Sequence, residues 1–163
     1  MAPSNEEIAA QYQNNAIYVI LSSRGALPGF HWGIFIPTAS PLGYIWHATN
    51  REGGWKLEHK QSNNVPFSMS LVLSQKVGTV TSANFQACRD ILNAIRADGT
   101  PSPNTGEDFS CRVWVKDALV ALHKNRIIVL PKDINDVAAD LLAAAEPHKP
   151  AVETGKATAE VNN

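Results

Sequence analysis

The sequence predicts an α+β fold, an antiparallel sheet with packed helices, because its two halves follow different hydrophobic periods. Residues 16–80 contain short runs of β-branched and aromatic residues between Gly- and Pro-containing turns, a pattern typical of strands. From residue 82 the apolar residues recur every three or four positions, which indicates amphipathic helices. We therefore expect a single domain over residues 1–146 and a disordered C-terminal tail over the small and polar residues 147–163.

Five strands are expected in the first half of the chain. AIYVILSS at 16–23 has few polar residues and suits the centre of a sheet. HWGIFIPTASPLGYIWHATN at 31–50 predicts two strands around a Pro- and Ser-rich turn. WKLEHK at 55–60 predicts a third strand of this meander after the turn at 51–54, and another strand is expected around 68–75.

Helices are expected at 5–13, 82–99, 109–125 and 131–146, and a short strand at 127–130. The first follows a capping-box pattern, Ser4 with Glu7. The second carries Cys88 on its apolar stripe, which we interpret as core packing. The polar loop at 100–108 is interpreted either as a mobile flap or as an ordinary surface connection.

Composition excludes several classes of function. The net charge of −1 and the absence of a basic stripe give no electrostatic footprint for nucleic acid, so no nucleic-acid partner is expected. No apolar run approaches the ~18 residues that a membrane span requires. The N-terminal residues lack the features of a secretory signal, so a cytoplasmic location and two reduced thiols are expected. No cofactor is predicted.

His31 and His47 stand at the two ends of the expected hairpin. A hairpin centred on Ala39 places the two imidazoles directly opposite each other on one face of the sheet. Gly33 shares that face and leaves space beside His31. Alternate residues, among them Trp32 and Trp46, point to the other face.

Cys111 is the third candidate residue. Asp108 is expected to cap the helix, which places Cys111 in the first turn, where free N–H groups and the helix dipole favour a thiolate. Cys111 also continues an apolar stripe through Val115, Leu119 and Leu122, so it is expected to face the sheet.

The order of these motifs, HWGIFI, then IWHAT, then SCRVWVKDAL, resembles the circularly permuted papain-like superfamily, which includes the NlpC-type peptidases and the lecithin retinol acyltransferase group. It is most similar to small fungal proteins that combine an HW strand with a C-x-x-W-V helix. The resemblance implies a permuted papain-like fold, with Cys111 as nucleophile, His31 as general base and His47 as the residue that orients it. The activity implied is a thiol hydrolase, peptidase- or amidase-like, or an acyltransferase.

Two alternatives to an enzyme stay open from the residues alone. His31, His47 and Cys111 could bind zinc, although no close-spaced ligand pair supports such a site. The domain could instead be a catalytically degenerate papain-like binding or structural module. The substrate, a small molecule or a peptide, is not specified by any motif. The four tryptophans are interpreted mainly as core residues, with a ligand-lining role as the alternative.

Overall fold

The computed structural model describes residues 2–163 and shows an α+β fold with one six-stranded sheet. The strands are β1 (Ala16–Ser23), β2 (Phe30–Ala39), β3 (Leu42–Thr49), β4 (Lys56–Ser62), β5 (Leu71–Thr79) and β6 (Glu160–Asn162). They lie in the order β4-β3-β2-β1-β5-β6. Strands β1 to β5 pair antiparallel, as expected, but β6 joins β5 in parallel and makes the sheet mixed.

The helices are α1 (Asn5–Ala10), α2 (Phe85–Ala94), α3 (Cys111–Lys124), α4 (Ile134–Ala145) and α5 (Lys149–Glu153). The four expected helices are all present, each shorter than predicted. The capping box is confirmed, because the Glu7 N–H donates to Ser4 Oγ and the Ser4 N–H donates to the Glu7 carboxylate. Across residues 2–163, no helix combines the length and apolar character that crossing a bilayer requires.

The two faces of the sheet carry different apolar layers. Helices α2, α3 and α4 pack on the face that presents Trp32, Ile34 and Trp46, which we call the helical face. Helix α1 packs on the other face, next to Tyr18 and Phe35, which we call the α1 face. Because side chains alternate along a strand, His31 and Gly33 share the α1 face with Phe35.

The hairpin of β2 and β3 has a different register from the one predicted. Ile34 pairs with Trp46 and Ile36 with Tyr44, so the hairpin is centred on Ser40 and not on Ala39. The prediction that His31 and His47 lie directly opposite each other is therefore wrong. The shift preserves the alternation of faces, so both side chains still lie on one face.

The C-terminal residues expected to be disordered are folded onto the sheet. A 3-10 turn at Glu146–His148 leads into α5, whose Val152 is buried in the core of the helical face. Strand β6 then pairs with β5, and Asn163 accepts a hydrogen bond from the Tyr18 hydroxyl at 2.5 Å. A few apolar residues and an open strand edge thus order a segment whose composition alone predicts disorder.

The short strand expected at 127–130 is also absent as such. Ile128 makes an isolated bridge to Gly78, and its side chain occupies the space that a Cβ at residue 78 would need, at 2.5 Å. The glycine therefore allows this segment to approach the sheet closely without becoming part of it.

Candidate functional site

A cavity of about 440 Å³ lies at the end of the sheet where β1 ends and β2 begins. All three predicted site residues, His31, His47 and Cys111, line it. The rest of the lining comes from residues 48–51 after β3, together with Arg24, Trp55 and Ser110. The structure thus brings together, around one cavity, groups that are up to 87 positions apart in the sequence.

Strands β2 and β3 stop pairing with each other at this cavity. Their ladder ends at the pair Ile34–Trp46. Beyond it, β2 continues to Phe30 along β1, while β3 continues to Thr49 along β4. The cavity therefore lies where the backbone pairing of β2 with β3 has stopped.

The two histidines contact each other directly through their rings. His31 Nε2 lies 2.7 Å from His47 Nδ1, and the rings meet edge to face with interplanar angle 87°. This contact is diagonal, because His47 lies opposite Gly33 and not opposite His31. A Cβ on residue 33 would come within 3.2 Å of the His47 Cβ and 3.1 Å of the Trp46 carbonyl oxygen. Gly33 therefore allows β3 to approach β2 closely at Trp46 and His47.

Glu58 extends this pair into a chain of three polar side chains, and sequence reasoning missed it. His47 and Glu58 are direct cross-strand partners, with His47 Nε2 3.0 Å from Glu58 Oε1. Arg51 and Lys60 hold the same carboxylate, at 2.8 and 3.3 Å. The signal was available, because a tight turn centred within 51–54 places residue 58 opposite residue 47.

The pKa values of the three groups are shifted so that both imidazoles are neutral and the carboxylate is charged at pH 7. Burial lowers the pKa of His31 to about 4, and the charges of His47, Arg51 and Arg24 add to this effect. Burial also lowers the pKa of His47, outweighing the hydrogen bond to Glu58. Burial raises the pKa of Glu58, but hydrogen bonds from His47 and Lys60 lower it on balance.

These protonation states fix the tautomers of both rings. Glu58 can only accept, so His47 Nε2 carries the proton and His47 Nδ1 has a lone pair. That lone pair accepts the proton of His31 Nε2. His31 Nδ1 is then the unprotonated nitrogen, which is the form that a general base requires.

Cys111 occupies the first position of α3. The capping residue is Ser110 and not Asp108 as predicted, because Ser110 Oγ accepts the Val113 N–H at 3.2 Å. The predicted stripe is confirmed, since Val115, Leu119 and Leu122 are buried in the helical face. Cys111 itself is partly buried.

Cys111 and the two histidines approach the cavity from opposite faces of the sheet. Cys111 packs against the core of the helical face, whereas His31 and His47 project from the α1 face. The thiol lies 3.9 Å from the carbonyl oxygen of Phe30, the residue that precedes His31. Around the start of β2, which pairs with β1 but no longer with β3, the thiol and the imidazoles line the same cavity.

The loop before α3 is anchored to the helix, which favours the surface-connection interpretation over a mobile flap. The buried Asp117 carboxylate accepts hydrogen bonds from Ser102 Oγ at 2.5 Å and from Asn104 Nδ2 at 3.0 Å. Glu107 pairs with Arg112 at 2.7 Å and with the almost fully buried Lys116. Both contacts fix the segment that leads into Cys111.

The tryptophans divide between the two predicted roles. Trp32, Trp46 and Trp114 are fully buried in the core of the helical face, whereas Trp55 lines the cavity. Within residues 2–163, no three His, Cys, Asp or Glu side chains are arranged to hold a metal ion, so the geometry gives the zinc alternative no ligand set.

Comparison with models of known protein families gives a match. A family model described as a family of unknown function, DUF6540, matches residues 17–129. The chain belongs to this family. The part matched to DUF6540 runs from β1 to just past α3 and includes His31, His47, Glu58 and Cys111. No curated protein and no solved structure matches the chain.

Proposed function

We propose that the protein is a cysteine-dependent hydrolase or acyltransferase that acts on an amide, ester or thioester through a thioester on Cys111. The observation that carries this proposal is the shared cavity, lined by a helix-start cysteine and by a histidine whose tautomer a second histidine and a glutamate determine. A nucleophile, a base and a group that orients the base are the parts that covalent acyl transfer requires.

The roles follow from the chemistry of each group. Cys111 Sγ attacks the substrate carbonyl carbon while its proton passes to His31 Nδ1. The carbon–heteroatom bond then breaks, and His31 returns that proton to the leaving amine, alcohol or thiol. Water or a second substrate attacks the resulting thioester and gives up a proton to His31. The carbon–sulfur bond then breaks, the acid or the transferred acyl product is released, and His31 passes the proton to Cys111 Sγ, which restores the thiol. His47 and Glu58 engage the Nε2 proton of His31, so the lone pair of the His31 ring is on Nδ1, away from His47.

The start of α3 supplies a donor for the oxyanion that forms during attack. The Val113 N–H donates to Ser110 Oγ, and the Trp114 N–H donates to the Ser110 carbonyl. The N–H of Cys111 lies before the first intrahelical hydrogen bond and is available to a substrate oxygen.

The permuted papain-like architecture is part of the same proposal. It is supported by the order of the elements: a base on β2, an orienting residue on the adjacent β3, and a cysteine at the start of a later helix on the same sheet. DUF6540 membership brings no activity with it.

The test is to trap the acyl-enzyme. Purified protein is incubated with a panel of activated amides, esters and thioesters, quenched in acid, and analysed by peptide mass spectrometry. We expect an acyl adduct on Cys111, none on Cys88, and no adduct or turnover in Cys111→Ser. Full turnover by Cys111→Ser would show that Cys111 is not the nucleophile.

A second candidate function is a binding module without catalysis, and the contacts of Cys111 and His31 support it. The Cys111 thiol is positioned against the Phe30 carbonyl, and His31 Nε2 is engaged with His47. A module of this kind predicts that Cys111→Ser, His31→Ala and His47→Asn all lower the melting temperature and that no panel member acylates the wild type.

A further inference from the structure

The cavity beside Cys111 carries positive charge. Arg24, the first residue after β1, and Arg51, the second residue after β3, both line it, and the cavity lining contains no Asp or Glu. Glu58 lies behind Arg51 and is shared with His47 and Lys60. The lining itself therefore has two basic and no acidic side chains. Three carboxylates lie near it and are already engaged: Glu58 with Arg51, Glu52 with Lys56, and Glu153 with the Ser23 hydroxyl.

Both guanidinium groups keep donors free for a ligand. Arg24 uses Nη1 on the Pro28 carbonyl oxygen at 3.1 Å, a contact that holds the side chain without neutralising it. Arg51 uses Nη2 on Glu58 at 2.8 Å. A guanidinium has five N–H donors in a planar fork that matches carboxylate and phosphate groups, so each arginine can still bind an anion.

The two arginines also lie close enough to the proposed base to act on the same molecule. Their positive charges both contribute to lowering the pKa of His31. Trp55 adds an aromatic wall to the same cavity. An anionic group held by these arginines would place a neighbouring carbonyl carbon within the space that Cys111 and His31 border.

We propose that this site selects acyl donors that carry an anionic group, a carboxylate or a phosphate, which Arg24 and Arg51 bind next to the scissile bond. This inference rests on the proposed function, because it assigns the substrate class of the same cavity. It also predicts electrostatic attraction of anions to Cys111 that weakens as salt is added.

Two alkylating reagents that differ in charge provide the test. Second-order rate constants for Cys111 are measured by mass spectrometry with anionic iodoacetate and neutral iodoacetamide, at pH 7 and low salt. The readout is the rate with iodoacetate divided by the rate with iodoacetamide, in the folded protein and in protein unfolded by urea. We expect folding to raise this ratio by about tenfold or more, and 0.5 M salt, on the order of a 4 Å Debye length, to remove most of the gain.

Charge variants show whether the arginines cause the preference. Arg24→Gln and Arg51→Gln should each lower the ratio by roughly threefold or more. Because each ratio is taken within one variant, a change in the intrinsic reactivity of Cys111 cancels. Arg96→Gln is the matched control, since Arg96 is as exposed as Arg51, 70% against 68%, and lies outside this cavity. Equal ratios in Arg24→Gln and Arg96→Gln would overturn the proposal.

The outcomes separate this inference from the proposed function. If Cys111 reacts with iodoacetamide no faster than Cys88, the proposed function fails. If Cys111 reacts rapidly with iodoacetamide but the ratio is the same folded and unfolded, only the anion site fails. Protection of Cys111 from iodoacetamide by succinate would indicate a carboxylate donor, and protection by inorganic phosphate a phosphorylated one. Protection by neither would count against the anion site.

Discussion

Cys88 and Cys111 lie on two helices that pack against the same face of one sheet, yet their surroundings are opposite. Cys88 is the fourth residue of α2 and is fully buried, and this burial raises its pKa to about 11. Cys111 is the first residue of α3, is partly exposed, and lines a cavity with two histidines and two arginines. The position of each cysteine in its helix and its exposure therefore decide whether the thiol is a core residue or a candidate nucleophile.

Replacing each cysteine by serine should affect different properties: turnover at Cys111 and the free energy of unfolding at Cys88. Cys111→Ser should lower turnover by roughly a thousandfold or more and change the free energy of unfolding by less than about 0.5 kcal/mol. Cys88→Ser should keep turnover but lose about 1–3 kcal/mol of stability, because its hydroxyl would be buried without a partner. Turnover on an acylating substrate and urea unfolding measure both effects. A loss of stability in Cys111→Ser equal to that in Cys88→Ser would remove the distinction.

His31→Ala tests whether the histidine acts on one cysteine only. The account predicts a loss of turnover nearly as large as in Cys111→Ser, and a double variant that is little worse than either single one, since residues that act as a unit are not additive. Alkylation of Cys88 should be unchanged. If the loss of turnover in the double variant equals the product of the two single losses, His31 and Cys111 act independently.

Glu58→Gln should lower turnover less than Cys111→Ser or His31→Ala, because it leaves the nucleophile and the base in place. An amide can donate to His47 Nε2, which would reverse both tautomers and put a proton on His31 Nδ1. We expect kcat to fall by a factor on the order of 10². Glu52→Gln, which removes an exposed carboxylate paired with Lys56, is the control and should retain full activity. Equal kcat in the two variants would mean that Glu58 does not set the tautomer.

The smallest expected effect concerns stability and pH. The folded pKa of His31 is about 4 and that of His47 is also below its ordinary value of 6.5, so the unfolded chain binds protons first as the pH falls. The free energy of unfolding should therefore decrease as the pH is lowered from about 6.5 to 5, and this decrease should be shallower in a His31→Gln, His47→Asn double variant. Parallel stability curves for wild type and double variant would contradict the buried, neutral pair.

How much the sequence could predict depends on whether the determinants were local. The bounds of β1 and the capping box of α1 follow from adjacent residues, and both are confirmed. The predicted register was wrong, but the prediction that His31 and His47 share one face is confirmed. The register differs by two residues, and a shift by an even number leaves the alternation of side chains unchanged. Ser110 replaced the predicted cap, Asp108, because the choice between two nearby capping residues depends on where the loop enters the helix.

Features that depend on tertiary contacts could not be predicted from the sequence. The diagonal contact of the imidazoles depends on the register of the β2–β3 hairpin, which is centred on Ser40 and not on Ala39 as the local pattern predicts. The apolar stripe of α3 predicts that Cys111 faces the sheet, but no local pattern indicates that the histidines project from the opposite face. The order of the C-terminal segment comes from pairing with β5 and from the burial of Val152.

The most direct test of the account is the rate at which iodoacetamide modifies each cysteine in the folded protein at pH 6 to 7, in wild type and in His31→Ala. Peptide mass spectrometry at successive times gives both rate constants from one sample. We expect Cys111 to react faster than Cys88 by roughly two orders of magnitude or more, and His31→Ala to slow the reaction of Cys111 alone. Equal rates at the two cysteines, or a Cys111 rate that His31→Ala leaves unchanged, would contradict a Cys111–His31 pair.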